Sequence, residues 1–123
     1  MLSNSCNYPH YASTPDEYMS RLMRLIVFFD LPVKTKKDKK AYRTFHSFLV
    51  KQGYHLIQYS VYGRVCGGLD RLETQLARLR ANVPPKGSVR CMTVTEKQYA
   101  SIEILVGEHR REEKTQAYEQ LTF

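Results

Sequence analysis

The side chains with the clearest chemistry in this 123-residue chain are cations clustered in its middle. Residues 34–51 contain seven lysines and arginines against one acid, Asp38, which gives a local charge of +6. Residues 64–90 contain six more against Asp70 and Glu73, which gives +4. Ammonium and guanidinium groups pair with phosphates, so this distribution favours a polyanionic partner such as a nucleic acid. A solvated, lysine-rich helix face is the alternative that charge alone leaves open.

Asp30 is the acid whose position most suggests catalysis. It directly follows the apolar run 25–29 and precedes Leu31-Pro32. The sequence has no glycine-rich phosphate loop, no His-Glu-x-x-His motif and no Ser/His/Asp order. A single carboxylate makes a poor Mg²⁺ site, whereas two copies of Asp30 across a dimer axis would make a workable one. Asp30 could instead be a turn residue whose carboxylate accepts hydrogen bonds from backbone N–H groups.

Tyrosine and cysteine offer weaker signals. Tyr54, Tyr59 and Tyr62 could stack on nucleic-acid bases, although aromatic residues on strands more often pack in a core or a dimer interface. The three cysteines and four histidines lack the spacings of zinc sites or disulfide frameworks. We therefore interpret Cys66 and Cys91 as small apolar side chains on strands.

The first half of the chain predicts a strand followed by a helix. The continuous apolar run 25–29 indicates a central strand that ends before Pro32. Residues 36–52 have helical periodicity, with a buried stripe and a separate basic face. The buried stripe consists of Ala41, Phe45, Phe48 and Leu49. Lys36, Lys40 and Arg43 share the basic face over about 10 Å, a reach suited to successive phosphates.

The second half predicts strands around one more helix. Residues 54–66 must supply two short strands or one long bent strand, with Gly63 at a bulge or bend. Residues 69–83 form an amphipathic helix with Arg71, Gln75 and Arg78 on its outer face. Residues 88–95 form a strand, 95–98 a capped turn and 102–106 a short extra strand. This β-α-β-β-α-β order predicts an α+β, ferredoxin-like sandwich with helices on one face of an antiparallel sheet.

Composition fits one globular domain. The chain is 42% apolar and 25% charged, with a net charge of +7 at pH 7. Its longest apolar run is far shorter than the roughly 20 residues of a membrane-spanning helix, so we expect no membrane partner and a cytoplasmic location. We expect residues 1–22 to be a disordered or non-native extension, 23–107 the core domain, and 108–123 a tail that could add an edge strand.

Four segments, in their order and spacing, resemble one protein family. They read Met23-Arg-Leu-Ile-Val-Phe-Phe-Asp30-Leu-Pro32, Ala41-Tyr-Arg-Thr-Phe45, Gln58-Tyr-Ser-Val-Tyr62, and Gly87-Ser-Val89 leading to Thr93-Val-Thr-Glu-Lys-Gln98. The family is the CRISPR-associated Cas-two (Cas2) family, the small subunits of the spacer-acquisition complex, in the branch that accompanies Cas-nine systems. The resemblance covers residues 23–107.

This resemblance implies a ferredoxin-like homodimer in which the segment after the last core strand crosses to the partner subunit. It also implies that the dimer bridges two dimers of the Cas-one integrase and holds the middle of a double-stranded DNA fragment. Members of the family have been described as Mg²⁺-dependent nucleases, with the acid that matches Asp30 as a metal ligand shared across the dimer. The resemblance does not imply that every member of the family needs this carboxylate for integration.

Three hypotheses follow. The first is a subunit for CRISPR adaptation that binds the DNA backbone through Lys36, Lys37, Lys40, Arg43, Arg71, Arg78 and Arg90. The second is a Mg²⁺-dependent endonuclease, acting on RNA or DNA, in which paired Asp30 carboxylates are catalytic and hold the metal. The third is a ferredoxin-like regulator that binds a small molecule at its dimer interface, and the strongly basic first helix argues against it.

Overall fold

A four-stranded antiparallel sheet organises the chain. The computed structural model describes residues 21–108, and we number the elements in chain order. The strands are β1 (Met23–Asp30), β2 (His55–Gln58), β3 (Val61–Gly67) and β4 (Ser88–Thr95), and the helices are α1 (Lys36–Lys51), α2 (Leu69–Ala81) and α3 (Glu96–Ala100). The strand order β2-β3-β1-β4 places β1 in the middle of the sheet. The α+β, ferredoxin-like fold is therefore confirmed. Residues 1–20 and 109–123, and with them most of the predicted extension and tail, lie outside the described residues.

The core lies between α1, α2 and one face of the sheet. Every second residue of β1 (Leu25, Val27 and Phe29) points into this core, because side chains alternate along a strand. The Phe29 ring packs edge-on against Phe45 of α1, with centroids 5.4 Å apart. Leu49, Leu72 and Leu79 are also in this cluster. The predicted buried stripe of α1 is confirmed, with Phe45 and Leu49 buried and Ala41 and Phe48 half-buried.

Residues 54–66 form two strands joined by a two-residue turn. Tyr59 and Ser60 make the turn, and Ser60 adopts a φ of +62°, in the left-handed region. The predicted bulge or bend does not lie at Gly63, which pairs with Ile26 on one side and His55 on the other. The register shifts lie instead between Met23 and Arg24 and between Leu56 and Gln58. Gly63 packs closely against β2, since a Cβ there would lie 2.7 Å from Ile57 Cδ1 and the Ile57 side chain would have to move.

The structure differs from two further predictions in the second half of the chain. Gln75 is buried rather than on the outer face of α2, because it lies three residues after Leu72 and four before Leu79, on the stripe that meets the core. The predicted strand at 102–106 is not formed: these residues are exposed and have no ladder partner within the described chain. A strand needs a neighbour for its backbone groups, and after α3 this segment lies beside β2 without pairing to it.

Two other expectations concern the cysteines and membrane-spanning helices. Cys66 is buried and Cys91 is exposed, and both thiols are free. No helix within residues 21–108 has the length and apolar character that a membrane crossing requires.

Candidate nucleic-acid interface

The exposed cations of α1 form a continuous basic ridge. Thr35 and Asp38 begin the helix with a capping box, in which the Thr35 hydroxyl accepts from Asp38 N–H and the Asp38 carboxylate accepts from Thr35 N–H. Lys36, Lys40 and Arg43 then recur at i, i+4 and i+7, and we call this set the α1 stripe. All three are exposed, and none forms an ion pair with an acid among residues 21–108. Their charges are therefore available to an external anion.

Asp38, the acid inside this basic helix, is occupied by the cap. The Thr35 backbone N–H that it accepts keeps the pKa of its carboxyl below the usual value. Because the carboxylate serves the helix terminus, it does not neutralise the α1 stripe through a direct contact. Lys37 lies on a different side of the helix, where it lines a cavity of about 230 Å³ together with Tyr42 and Lys86.

The remaining predicted cations are divided between two surfaces. Arg71 and Arg78 are exposed on α2, and Arg78 Nη1 donates to Gln52 Oε1 at 3.2 Å, which ties α2 to the end of α1. Arg90 is paired with Phe28 of β1, whose side chain points away from the core. Arg90 therefore lies on the sheet face opposite α1 and α2. The structure thus brings the helix cations onto one side of the molecule and leaves Arg90 on the other.

Asp30 is exposed at the last position of β1, and its surroundings are well fixed. It is paired with Ser88 of β4, and on the other side the N–H of Phe29 donates to Ser60 O at 3.1 Å. Gly87, with a φ of +94°, presses against this position: a Cβ there would lie 2.8 Å from the Asp30 carbonyl oxygen. We call this region, made of Asp30, Ser88 and the adjoining turns, the Asp30 edge.

The Asp30 edge of one chain supplies a single carboxylate. No group of three or more His, Cys, Asp or Glu side chains comes together within the described part of the chain. Mg²⁺ is commonly held by one or two carboxylates, with water and substrate phosphates completing its shell. Asp30 with the Ser88 hydroxyl fits that pattern only when a second copy or a nucleic-acid phosphate adds oxygen ligands.

An ion pair that the sequence did not suggest is buried at the other end of β1. The guanidinium of Arg24 is fully buried and bonds both carboxylate oxygens of Glu96, at 2.8 and 2.5 Å. Arg24 Nη1 also lies 3.0 Å from His55 Nε2, and its guanidinium lies 4.1 Å from the centre of the Tyr99 ring. The sequence feature that could have indicated this pair is Arg24 itself, a charged residue inside an otherwise apolar strand.

The three candidate stacking tyrosines have different environments. Tyr54 and Tyr62 are buried in the core, and burial raises the pKa of the Tyr54 hydroxyl well above its usual value. Tyr59 is 86% exposed at the turn between β2 and β3. Only Tyr59 of these three therefore presents its ring to an external partner.

Comparisons with known proteins find the same family repeatedly. The family model of CRISPR associated protein Cas2 matches residues 23–102. The CRISPR-associated endoribonuclease Cas2 of Acidovorax ebreus is 55% identical over 85 residues, which cover 69% of this chain and 83% of that protein. The protein of the same name from Treponema denticola is 43% identical over 90 residues, which cover 73% and 89%. A crystal structure of cas2 aligns with a TM-score of 0.47 and 22% identity, over 73% of this chain and 92% of that one.

Proposed function

The chain belongs to the Cas2 family of CRISPR-associated proteins, and we propose that it acts as a homodimer that holds double-stranded DNA during spacer acquisition. The observation that carries this proposal is the α1 stripe. Its three cations are exposed, make no ion pair with a described acid, and span about 10 Å along one helix face. Such a ridge suits the phosphate backbone, which carries charge but no sequence information.

The proposed dimer is supported by apolar surface on the described chain. On the sheet face opposite α1 and α2, Phe28 is 37% and Met92 48% exposed. Beyond α3, Leu105 is 88% and Val106 95% exposed. Exposed apolar side chains grouped in this way are typical of a protein–protein interface. We infer that a second copy covers it, and that the dimer in turn contacts the Cas-one integrase.

A cytoplasmic location is part of the same proposal. Cys66 and Cys91 are both free thiols, which is typical of a reducing compartment.

Salt dependence tests the binding proposal directly. Fluorescence anisotropy of a labelled duplex should give a binding constant that falls steeply with salt, with log K changing by about −0.9 per phosphate contacted for each unit of log salt concentration. Two duplexes of different sequence should bind within about twofold of each other, since backbone contacts ignore sequence. A flat salt response, or no binding at about 50–100 mM salt, contradicts the proposal.

A second candidate function is Mg²⁺-dependent cleavage of RNA or DNA by paired Asp30 carboxylates. Two observations favour it: relatives are named endoribonucleases, and Asp30 is exposed at a rigidly held edge. In a dimer, Asp30 from each copy would hold the cation with phosphate and water oxygens. A bound Mg²⁺ would supply charge stabilisation to the phosphodiester and lower the pKa of a coordinated water.

Cleavage is tested by comparing two conservative variants. Asp30→Asn removes the carboxylate at the edge, whereas Asp70→Asn removes an exposed carboxylate on α2 and serves as the matched control. We expect cleavage of a labelled RNA or DNA to disappear in Asp30→Asn and in chelator, and to persist in Asp70→Asn. Cleavage that survives Asp30→Asn contradicts this second candidate and leaves the DNA-holding role intact.

A further inference from the structure

Tyr59 has an environment that its role in the fold does not explain. Tyr59 and Phe28 are the aromatic side chains more than a third exposed among the described residues. Phe28 lies on a sheet face with other apolar groups, whereas Tyr59 projects from a turn and is 86% exposed. A large ring in water forgoes the burial that stabilises most aromatic side chains. Its exposure therefore suggests a ligand rather than a packing role.

Backbone pairing places the turn that carries this ring next to the Asp30 edge. The turn is as short as a hairpin allows, with Gln58 and Val61 already paired on either side of it. Ser60 has a left-handed φ of +62°, a backbone conformation that residues other than glycine rarely adopt. Its carbonyl accepts from Phe29 N–H, one residue before Asp30. This hydrogen bond ties the turn to β1, one residue before Asp30.

We propose that Tyr59 is a base-stacking platform and that the nucleic acid held at the Asp30 edge presents unpaired bases to it. Every base has a π-face, so stacking on an exposed ring does not depend on sequence. Bases inside an intact duplex are already stacked on their neighbours, so this ring favours a single strand or a frayed end. Neighbouring strands lie about 4.8 Å apart, which places the Tyr59 turn roughly 5–10 Å to the side of β1. At about 3.4 Å per stacked nucleotide, two or three nucleotides cross that distance.

This inference rests on the proposed binding of nucleic acid and names the form of strand bound at one edge. It is compatible with a duplex on the α1 stripe, because that helix contacts phosphates and the turn contacts bases. It also specifies the second candidate function: a strand cut near Asp30 would be single-stranded where it meets Tyr59.

Two substitutions at Tyr59 and one elsewhere test the inference. Tyr59→Phe keeps the ring, Tyr59→Ala removes it, and Leu69→Ala removes a side chain that is 68% exposed beyond the opposite end of β3. We expect Tyr59→Ala to weaken binding of a labelled single strand by about 5- to 100-fold, as expected for the loss of one stacked base. Tyr59→Phe and Leu69→Ala should bind within about twofold of wild type. A blunt duplex should bind all four proteins equally.

A spectroscopic signal separates stacking from a general loss of affinity. A single strand containing 2-aminopurine should lose emission on binding wild type or Tyr59→Phe, and should lose less at saturation with Tyr59→Ala. Sedimentation equilibrium of each variant should show an unchanged oligomeric state. The inference is overturned if Tyr59→Ala binds the single strand as wild type does, or loses duplex and single strand equally. It is also overturned if weakened binding tracks loss of the dimer, because Tyr59 would then belong to an interface between copies.

The same measurements distinguish this inference from the proposed function. If wild type binds duplex with a steep salt response while Tyr59→Ala changes nothing, only the stacking inference fails. If wild type binds neither duplex nor single strand, the proposed function fails and the inference with it.

Discussion

Removal of the Arg24 guanidinium should destabilise the fold strongly, because it breaks a buried ion pair. Arg24 is fully buried and Glu96 is 3% exposed, so Arg24→Met leaves a carboxylate in the interior without its two hydrogen bonds. Breaking a buried ion pair in this way costs about 3–5 kcal/mol. The same substitution also removes the cation that lies over the Tyr99 ring at 4.1 Å. For a small domain this corresponds to a fall in Tm of at least about 12 °C.

The double substitution Arg24→Met/Glu96→Met separates the pair from its parts. When both charges are replaced by apolar groups of similar size, no buried charge is left unpaired, and such replacements are often neutral or stabilising. We therefore expect the double variant to unfold at a higher urea concentration than either single variant. Circular dichroism during urea unfolding, at one fixed protein concentration, measures all four free energies of unfolding. A loss below about 1 kcal/mol in Arg24→Met, or a double variant no more stable than the singles, contradicts this reasoning.

Four other predictions follow from the same structure. Replacing all three cations of the α1 stripe with Gln should make the plot of log K against log salt less steep by about 2.7 per copy, measured by duplex anisotropy; an unchanged slope contradicts the interface. Gly87→Ala should lower the free energy of unfolding by about 1–3 kcal/mol in urea, because it strains a φ of +94° and places a Cβ 2.8 Å from the Asp30 carbonyl oxygen. The lowered pKa of Asp38 means that its carboxylate stabilises the fold above its unfolded pKa of 3.8 and ceases to do so as pH falls through the folded value. Wild type should therefore be more stable than Asp38→Asn near neutral pH, and the two should converge in acid. Burial raises the pKa of the Cys66 thiol, so iodoacetamide should label the exposed Cys91 first, and equal labelling rates by peptide mass mapping would contradict the packing.

Elements with a strong local signal were predictable from the sequence. The 25–29 apolar run indicated a central strand, and Pro32 marked its end within two residues of the observed one at Asp30. The strand at 88–95 and the α1 helix were predicted almost to the residue, because cap residues and turn residues bound them. These elements and their ends depend on interactions between residues close together in the chain, which the sequence shows directly.

Features that depend on distant parts of the chain were not predictable. Gln75 was placed outside because glutamine is usually exposed, yet its position on the helix stripe directs it inward. Residues 102–106 have the composition of a strand but no partner for their backbone groups in the described chain. Arg24 and Glu96 are 72 residues apart, so the local sequence around either residue does not predict their contact. The separation of Arg90 from the helix cations likewise follows from strand register, which one sequence does not fix.

The two ends of β1 carry features of different kinds. One end holds a buried ion pair that stabilises the fold, and the other end holds the exposed Asp30. Arg24 and Asp30 are six residues apart on one strand, which places them about 20 Å from each other. Effects at such separations are usually additive when the sites share no partner, and the partners described for Arg24 lie at the end of the sheet away from Asp30. The ion pair therefore holds α3 on the sheet while leaving the Asp30 edge exposed to a ligand. Consequently, a folded Arg24→Met/Glu96→Met protein should keep the salt slope and the Tyr59-dependent quenching of wild type. A loss of either signal with the fold intact would mean that the buried pair also positions the nucleic-acid surface.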